Sequence, residues 1–308
     1  MGKNLRVGEF LLAVQGLALH RNLFSGTDAQ TNARISEIGE IVTALMSSDA
    51  HESLSVSTSE LSAIDGYRRW AAQYEAADNP LIATEEPALR SVLASVPIGR
   101  ALDVCCGTGR VSRILRDLGH TVIGIDQSIE MLQVARSQVS GVSFQQEELI
   151  SQTDTGRDPT KSDYDLITCA LALTHAVDLT KAVAAIAARL RPGGRLVITD
   201  VHPFFTALDS QAFFRLDDGA TSWVRNQHHR FSSYLQAFRA AGLAITDCLE
   251  IEPPDGTGPM ESFVAALRPD AARCAYRGLP TVILWQLENQ GSPEVFQSRR
   301  RASESMAP

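Results

Sequence analysis

The chain has 308 residues, 44% of them hydrophobic and 21% charged, with a formal net charge of −8. That is the composition of a globular protein long enough to bury a core without staples, and its acidic balance argues against a nucleic-acid partner, which needs a basic surface. The five cysteines are odd in number and contain no CxxC pair, which suggests neither a zinc site nor a disulfide framework and fits reduced thiols in a cytoplasm; no apolar run is long enough to make a membrane span.

Val7, Phe10, Leu11, Val14 and Leu17 recur at helical spacing, and Ser25-Gly26 breaks the pattern. Asp28 is the expected cap of a second helix, in which Ile35, Ile38, Ile41, Val42 and Leu45 form one apolar face. Residues 47–60 are polar and serine-rich and read as a linker. A third helical stretch, 61–76, carries Tyr67, Trp70 and Tyr74, and Asn79-Pro80 ends it before a short helix around 86–96.

The pattern then changes to alternating strands and helices. Strands are expected at 101–105, 121–126, 142–146, 164–169 and 195–200, and helices at 109–118, 129–138 and 176–190, with a polar loop over 150–162. This rhythm implies a parallel sheet covered on both faces. After Asp200 it stops for about thirty residues, then resumes with a helix near 231–241 and strands near 243–251 and 281–287. The polar segment 291–308 reads as a flexible tail. Residues 201–235 hold Phe204, Phe205, Phe213, Phe214, Trp223, Phe231 and Tyr234, either as an apolar pocket wall or as the core of a small lid.

Asp103-Val104-Cys105-Cys106-Gly107-Thr108-Gly109 lies between a strand and a helix, where small residues let the backbone turn sharply near a ligand. Asp126 ends the next strand and can accept both hydroxyls of a ribose. Asp103 ends the first strand and would face a cationic group. The turn lacks the third glycine of GxGxxG, and an acid precedes it, which disfavours a pyrophosphate. S-adenosylmethionine, with an ammonium, a sulfonium and a ribose, suits two acids.

LDVCCGTGR (102–110), VIGIDQSIEMLQVAR (122–136), YDLITCALALTH (164–175) and LRPGGRLVITD (190–200) together resemble the class I S-adenosylmethionine-dependent methyltransferase family over about residues 61–287. Cys105 stands where a glycine is usual. The resemblance implies a doubly wound α/β fold, with a seven-stranded, mostly parallel sheet whose last strand is antiparallel. It divides the chain into an N-terminal helical extension (1–60), a methyltransferase domain (61–290) with a substrate-side insertion (201–235), and the tail. It places Asp103 and Gly107 near the methionine moiety, Cys105 and Gly109 among the cofactor-binding residues of the same turn, and Asp126 at the ribose. Gln127 and Met131 fall around the adenine, Glu148 beside Leu149 near the adenine amine, and Ala170 along the methyl-donor channel. Tyr67 belongs to a YxxWAxxY helix that closes over the cofactor in similar enzymes, although Tyr67, Trp70 and Tyr74 also suit a helix core. Arg110 is placed to meet the cofactor carboxylate, or else solvent.

On the acceptor side, His175 follows strand four and His202 follows strand five. Both are candidates for substrate binding or proton transfer, against a role in holding their loops. A metal site at His228-His229 is disfavoured because neighbours point apart. The expected acceptor is a small, aromatic or partly apolar metabolite of natural-product type, methylated on oxygen, nitrogen or carbon by in-line displacement. The competing readings are a protein that binds the cofactor without transferring methyl and a nicotinamide-dependent reductase. The N-terminal helices are expected to bury their apolar stripes in a homodimer contact or over the cofactor cleft.

Overall fold

The computed structural model describes residues 2–47, 55–75, 79–149, 163–216, 219–254 and 267–291. The expected polar loop over 150–162, most of the expected tail and part of the expected linker lie outside these residues. In chain order the elements are β1 (Gly2–Arg6), α1 (Val7–Ser25), α2 (Asp28–Met46), β2 (Ser55–Leu61), α3 (Ala63–Trp70) and α4 (Pro80–Ala94). They continue with β3 (Arg100–Val104), α5 (Arg110–Asp117), β4 (Thr121–Asp126), α6 (Ile129–Gln138), β5 (Ser143–Gln146), β6 (Tyr164–Ala170) and α7 (Leu179–Ala187). The last are β7 (Leu190–Val201), α8 (Pro203–Ala207), β8 (Ala212–Arg215), β9 (Thr221–Val224), α9 (Phe231–Ala240), β10 (Leu243–Ile251), α10 (Pro269–Tyr276) and β11 (Val282–Asn289).

The main sheet has seven strands in the order β10-β11-β7-β6-β3-β4-β5. Strands β7, β6, β3, β4 and β5 pair in parallel, and β11 runs antiparallel between β7 and β10. This is the expected doubly wound sheet with an antiparallel last strand. Parallel strands buried on both faces read as continuous apolar runs. On β3, Leu102 and Val104 join one core cluster while Ala101 joins the cluster on the other face, following the two-residue alternation of a strand. Chain order reverses at β3, whose neighbours are β6 and β4. In such sheets the crevice beyond the strand ends at this switch point is the ligand-binding position.

A second, four-stranded sheet has the order β1-β2-β9-β8. It joins the N-terminal extension to the insertion after β7, through a parallel pairing of β2 with β9. The linker expected over 47–60 therefore contains a strand, and a boundary at residue 60 falls within β2. Phe214 and Trp223 are buried in this layer, and Trp70 stacks on Phe214 at 4.8 Å. Helix α3 lies close on the layer, because a Cβ at Gly66 would collide with the Val224 side chain.

Helix α1 packs its stripe of Val7, Leu11, Val14 and Ala18 against Ala271, Ala272, Ala275 and Tyr276 of α10, with Val201 and Phe205 in the same cluster. Polar contacts support the packing. The Arg21 guanidinium donates to the Arg277 carbonyl at 2.6 Å, and the Cys274 thiol to Asn22 Oδ1 at 2.9 Å. The stripe of α1 is thus covered within the chain. The outer face of α2, with Ile35, Val42 and Met46 exposed, is what remains for an expected homodimer contact. Thr27 caps α2 through a reciprocal capping box with Gln30, and Asp28 is its first helical residue rather than its cap. No helix among the described residues is long and apolar enough to cross a membrane.

Candidate functional site

A cleft opens at the switch point, its walls drawn from the ends of β4 and β6, the turn after β3 and the α3 segment, where open α/β sheets bind their ligands. The turn after β3 gives Cys105 and Gly107, and the segment after β4 gives Asp126, Gln127, Ser128 and Met131. The turn after β6 gives Ala170, Leu171, Ala172 and His175, while the α3 segment gives Ala63, Ile64, Tyr67 and Tyr74. Two wall residues hold left-handed backbone without being glycine: Cys105 at φ 55° and Leu171 at φ 52°. Such strain persists where surrounding structure enforces it, and it gathers at ligand sites.

One end of the cleft is organised by Asp126. Its carboxylate accepts the Gly107 amide at 2.9 Å and the Ser128 amide at 2.8 Å. The acid thereby ties the glycine turn after β3 to the cap of α6. Each carboxylate oxygen has two acceptor sites, so accepting these amides leaves capacity for hydroxyl donors. Burial pushes Asp126 above the ordinary carboxylate range, while amides of Ser128, Gly107 and Gln127 pull it back. Ser128 caps α6 through the Met131 amide at 3.2 Å, and Met131 is buried beneath it.

At the other end, the Tyr67 hydroxyl donates to His175 Nε2 at 2.6 Å. The other ring nitrogen of His175 meets the Arg225 carbonyl at 2.9 Å. Burial lowers the pKa of His175, with the Arg225 carbonyl opposing, so the neutral imidazole is the form at neutral pH. Burial also raises the Tyr67 phenol well above its usual range and pushes Tyr74 up to about 12.

With this geometry in place, the comparisons with known proteins decide the family. A family model described as a methyltransferase domain matches residues 65–247. The chain belongs to the class I methyltransferase family. The ubiquinone biosynthesis O-methyltransferase of Paraburkholderia phymatum is 40% identical over 158 residues, covering 48% of this chain and 66% of that protein. The protein of the same name from Aeromonas salmonicida is 30% identical over 159 residues, covering 48% and 64%. The chain thus spans less than two thirds of these relatives. Among solved structures, the DhpI–SAM–HEP complex superposes with a TM-score of 0.51 at 21% identity, covering 72% of this chain and 94% of that one, a likeness of fold.

Of the residues read from the sequence as contacts for this family's cofactor, Tyr67, Cys105, Gly107, Asp126, Gln127, Met131 and Ala170 line the cleft together. Five others do not. Asp103 is buried with both oxygens engaged, accepting the hydroxyls of Ser112 and Thr168 at 2.7 Å each. Arg110 meets neither the cleft nor solvent; it is buried and paired with buried Glu85 and, at 3.4 Å, with Glu86. Glu85 also accepts the Thr199 hydroxyl. Gly109, at φ 86°, opens α5, and a Cβ there would press on Phe144, Val139 and Ala135 at 3.0–3.2 Å. Leu149 is a core residue, and Glu148 beside it is not part of the cleft wall.

His202 is also away from the cleft wall. Its Nδ1 accepts the Phe204 amide at 3.2 Å, capping α8, and its Nε2 donates to Glu250 at 2.9 Å. Both nitrogens are occupied in holding the segment after β7. The aromatic insertion likewise fills the small layer and flanks Trp285 rather than lining the cleft. The YxxWAxxY helix divides between its two readings, with Tyr67 and Tyr74 in the cleft and Trp70 in the small layer. Leu171, Ala172, Ala63, Ile64 and Ser128 also line the cleft and were missed by sequence reasoning. Their signal was only the position of the first two after a parallel strand.

Proposed function

We propose that this protein is an S-adenosylmethionine-dependent methyltransferase acting on a hydroxyl of a small, partly apolar or aromatic molecule. The observation that carries the reading is a single cleft with a carboxylate at one end and a tyrosine–histidine pair at the other. The donor set at the Asp126 end fits the cofactor: Asp126 offers acceptors for ribose hydroxyls, and Met131 and Gln127 offer an apolar and polar surround for a base. When bound, S-adenosylmethionine supplies an electrophilic methyl on its sulfonium for in-line displacement by an acceptor.

The wall at the Tyr67–His175 end suits a neutral acceptor. Ala63, Ile64, Leu171 and Ala172 are apolar, and none of the described lining residues is Lys or Arg. A hydroxyl acceptor must lose its proton as its oxygen attacks. Tyr67 is too weak an acid to ionise alone. It can receive the acceptor proton while passing its own to the lone pair of His175 Nε2, which leaves a neutral phenol and an imidazolium. The name of the two curated relatives, an O-methyltransferase in ubiquinone biosynthesis, supports an oxygen acceptor. Positioning supplies the rest, since displacement at a sulfonium needs mainly an aligned nucleophile.

The test is transfer of labelled methyl from the cofactor to a panel of phenols and catechols, with matched anilines as controls. Transfer to phenols, slowed about 10²-fold or more in His175→Ala, is expected. Transfer to amines alone, or an unaffected His175→Ala enzyme, would overturn the oxygen reading and the role of the pair.

A further inference from the structure

The acceptor end of the cleft is not built by the seven-stranded sheet alone. A carbonyl oxygen only accepts hydrogen bonds, so the 2.9 Å contact of His175 Nδ1 with the Arg225 carbonyl requires a proton on Nδ1. A neutral imidazole carries one N–H. Nε2 is therefore the nitrogen with the free lone pair, and it is the one that faces Tyr67 at 2.6 Å. The partner of one ring nitrogen sets the protonation of the other. An unconstrained neutral histidine favours the opposite arrangement, with the proton on Nε2, which would leave nothing to accept the Tyr67 proton.

The Arg225 carbonyl owes its place to the small sheet. Val224, just before it, is the parallel partner of Leu61 on β2. Next to Leu61, Glu60 accepts two bonds from the Arg225 guanidinium, at 2.7 Å from Nε and 3.0 Å from Nη2. The guanidinium also lies over the Trp223 ring at 5.3 Å. Beyond Arg225 the chain follows the turn that holds His175, where the Gln227 amide donates to the Thr174 carbonyl at 2.6 Å and His229 Nε2 meets the Ala176 carbonyl at 2.8 Å. The Arg225 carbonyl thus sits between an ion pair on one side and this lacing on the other.

We propose that Glu60, on the N-terminal strand β2, is a positioning residue for the acceptor end: by fixing Arg225 it holds His175 in the Nδ1–H form and leaves Nε2 free to accept the Tyr67 proton. The proposal rests on the methyltransferase reading for its use in transfer, but the tautomer itself does not depend on that reading. It gives the N-terminal extension a part in the site that the family sheet lacks. Exposed ion pairs add little to global stability, so the role of Glu60 separates from mere folding.

The test is long-range proton–nitrogen NMR of the full-length protein labelled with nitrogen-15 at histidine, the His175 signals being identified by their loss in His175→Gln. In the wild type at pH 8 the Nδ1–H tautomer is expected. Glu60→Ala and Arg225→Met should each convert His175 to a mixture rich in Nε2–H, with urea midpoints near wild type. Tyr67→Phe should keep Nδ1–H, because the Arg225 contact survives. An Nε2–H tautomer in the wild type overturns the proposal, as does an unchanged tautomer in folded Glu60→Ala. If Glu60→Ala does not fold, Arg225→Met removes the same ion pair, and an unchanged tautomer there overturns the proposal equally. Calorimetry with S-adenosylmethionine on the wild-type sample tests the underlying reading separately: absence of binding there would sink the cofactor assignment and leave the tautomer result standing.

Discussion

Replacing Arg110 by methionine separates a structural cation from a cofactor ligand. The side chain is 6% exposed and Glu85, its partner, is 0% exposed. Removing the guanidinium leaves a buried carboxylate without its counter-charge. Breaking such a pair from one side costs about 3–5 kcal/mol, whereas removing both charges is far cheaper. Glu86 lies farther, at 3.4 Å, and is partly exposed, so it adds little. Arg110→Met is expected to lose about 3–5 kcal/mol in urea unfolding at unchanged slope. In the double variant Arg110→Met/Glu85→Gln, the amide carbonyl that replaces the carboxylate can still accept the Thr199 hydroxyl. That variant should recover at least ~2 kcal/mol of the loss. Affinity for S-adenosylmethionine should stay close to wild type in the folded double variant. A stable Arg110→Met protein with much weaker cofactor binding would refute the reasoning and return Arg110 to the cofactor carboxylate.

Burial pushes Asp200 up to about 7 from 3.8, while the Tyr234 hydroxyl and the Val201 amide hold it down. Between those pH values the folded state keeps a proton that the unfolded state has released, so stability falls as pH rises from about 4 to 7, by up to ~4 kcal/mol from this group. Asp200→Asn should flatten that slope in urea midpoints taken from pH 5 to 8, and a parallel pair of profiles would contradict it. His202→Ala removes the cap of α8 and the Glu250 contact. It should lower stability by about 1 kcal/mol while leaving methyl transfer within a factor of about three. A hundredfold loss of turnover in the folded variant would put His202 back at the acceptor.

The strands of the main sheet were legible because buried parallel strands are local apolar runs such as ALDV and YDLITC, punctuated by turns. Asp126 and the glycine turn were legible for the same reason, since their meaning depends on a strand end and the turn beside it. The small sheet was not legible. Strand β2 reads SVSTSEL, a polar sequence with little apolar alternation, and its partner β9 lies far along the chain, beyond most of the main sheet, so no local pattern announces the pairing. Helix α10 escaped because its buried face is made of Ala271, Ala272 and Ala275, which carry little periodic signal. His175 and His202 both follow parallel strands, and strand ends face the crevice, but capping separates the two: Pro203 starts a helix and turns the preceding histidine into its cap. Asp103 and Arg110 sit beside the right loop but face inward, a distinction set by Ser112, Thr168 and Glu85 from other elements.

The central claim is that the cleft at the β3 switch point binds S-adenosylmethionine through Asp126. Isothermal calorimetry with S-adenosylmethionine and, in parallel, NADH tests it most directly, on the wild type and on Asp126→Ala checked for folding by circular dichroism. One S-adenosylmethionine per chain and no NADH are expected to bind. Asp126→Ala should weaken the interaction by about 2 kcal/mol, roughly thirtyfold, because hydrogen bonds to a charged acceptor are lost. Binding of NADH in place of S-adenosylmethionine, or an Asp126→Ala protein with wild-type affinity, would contradict the account.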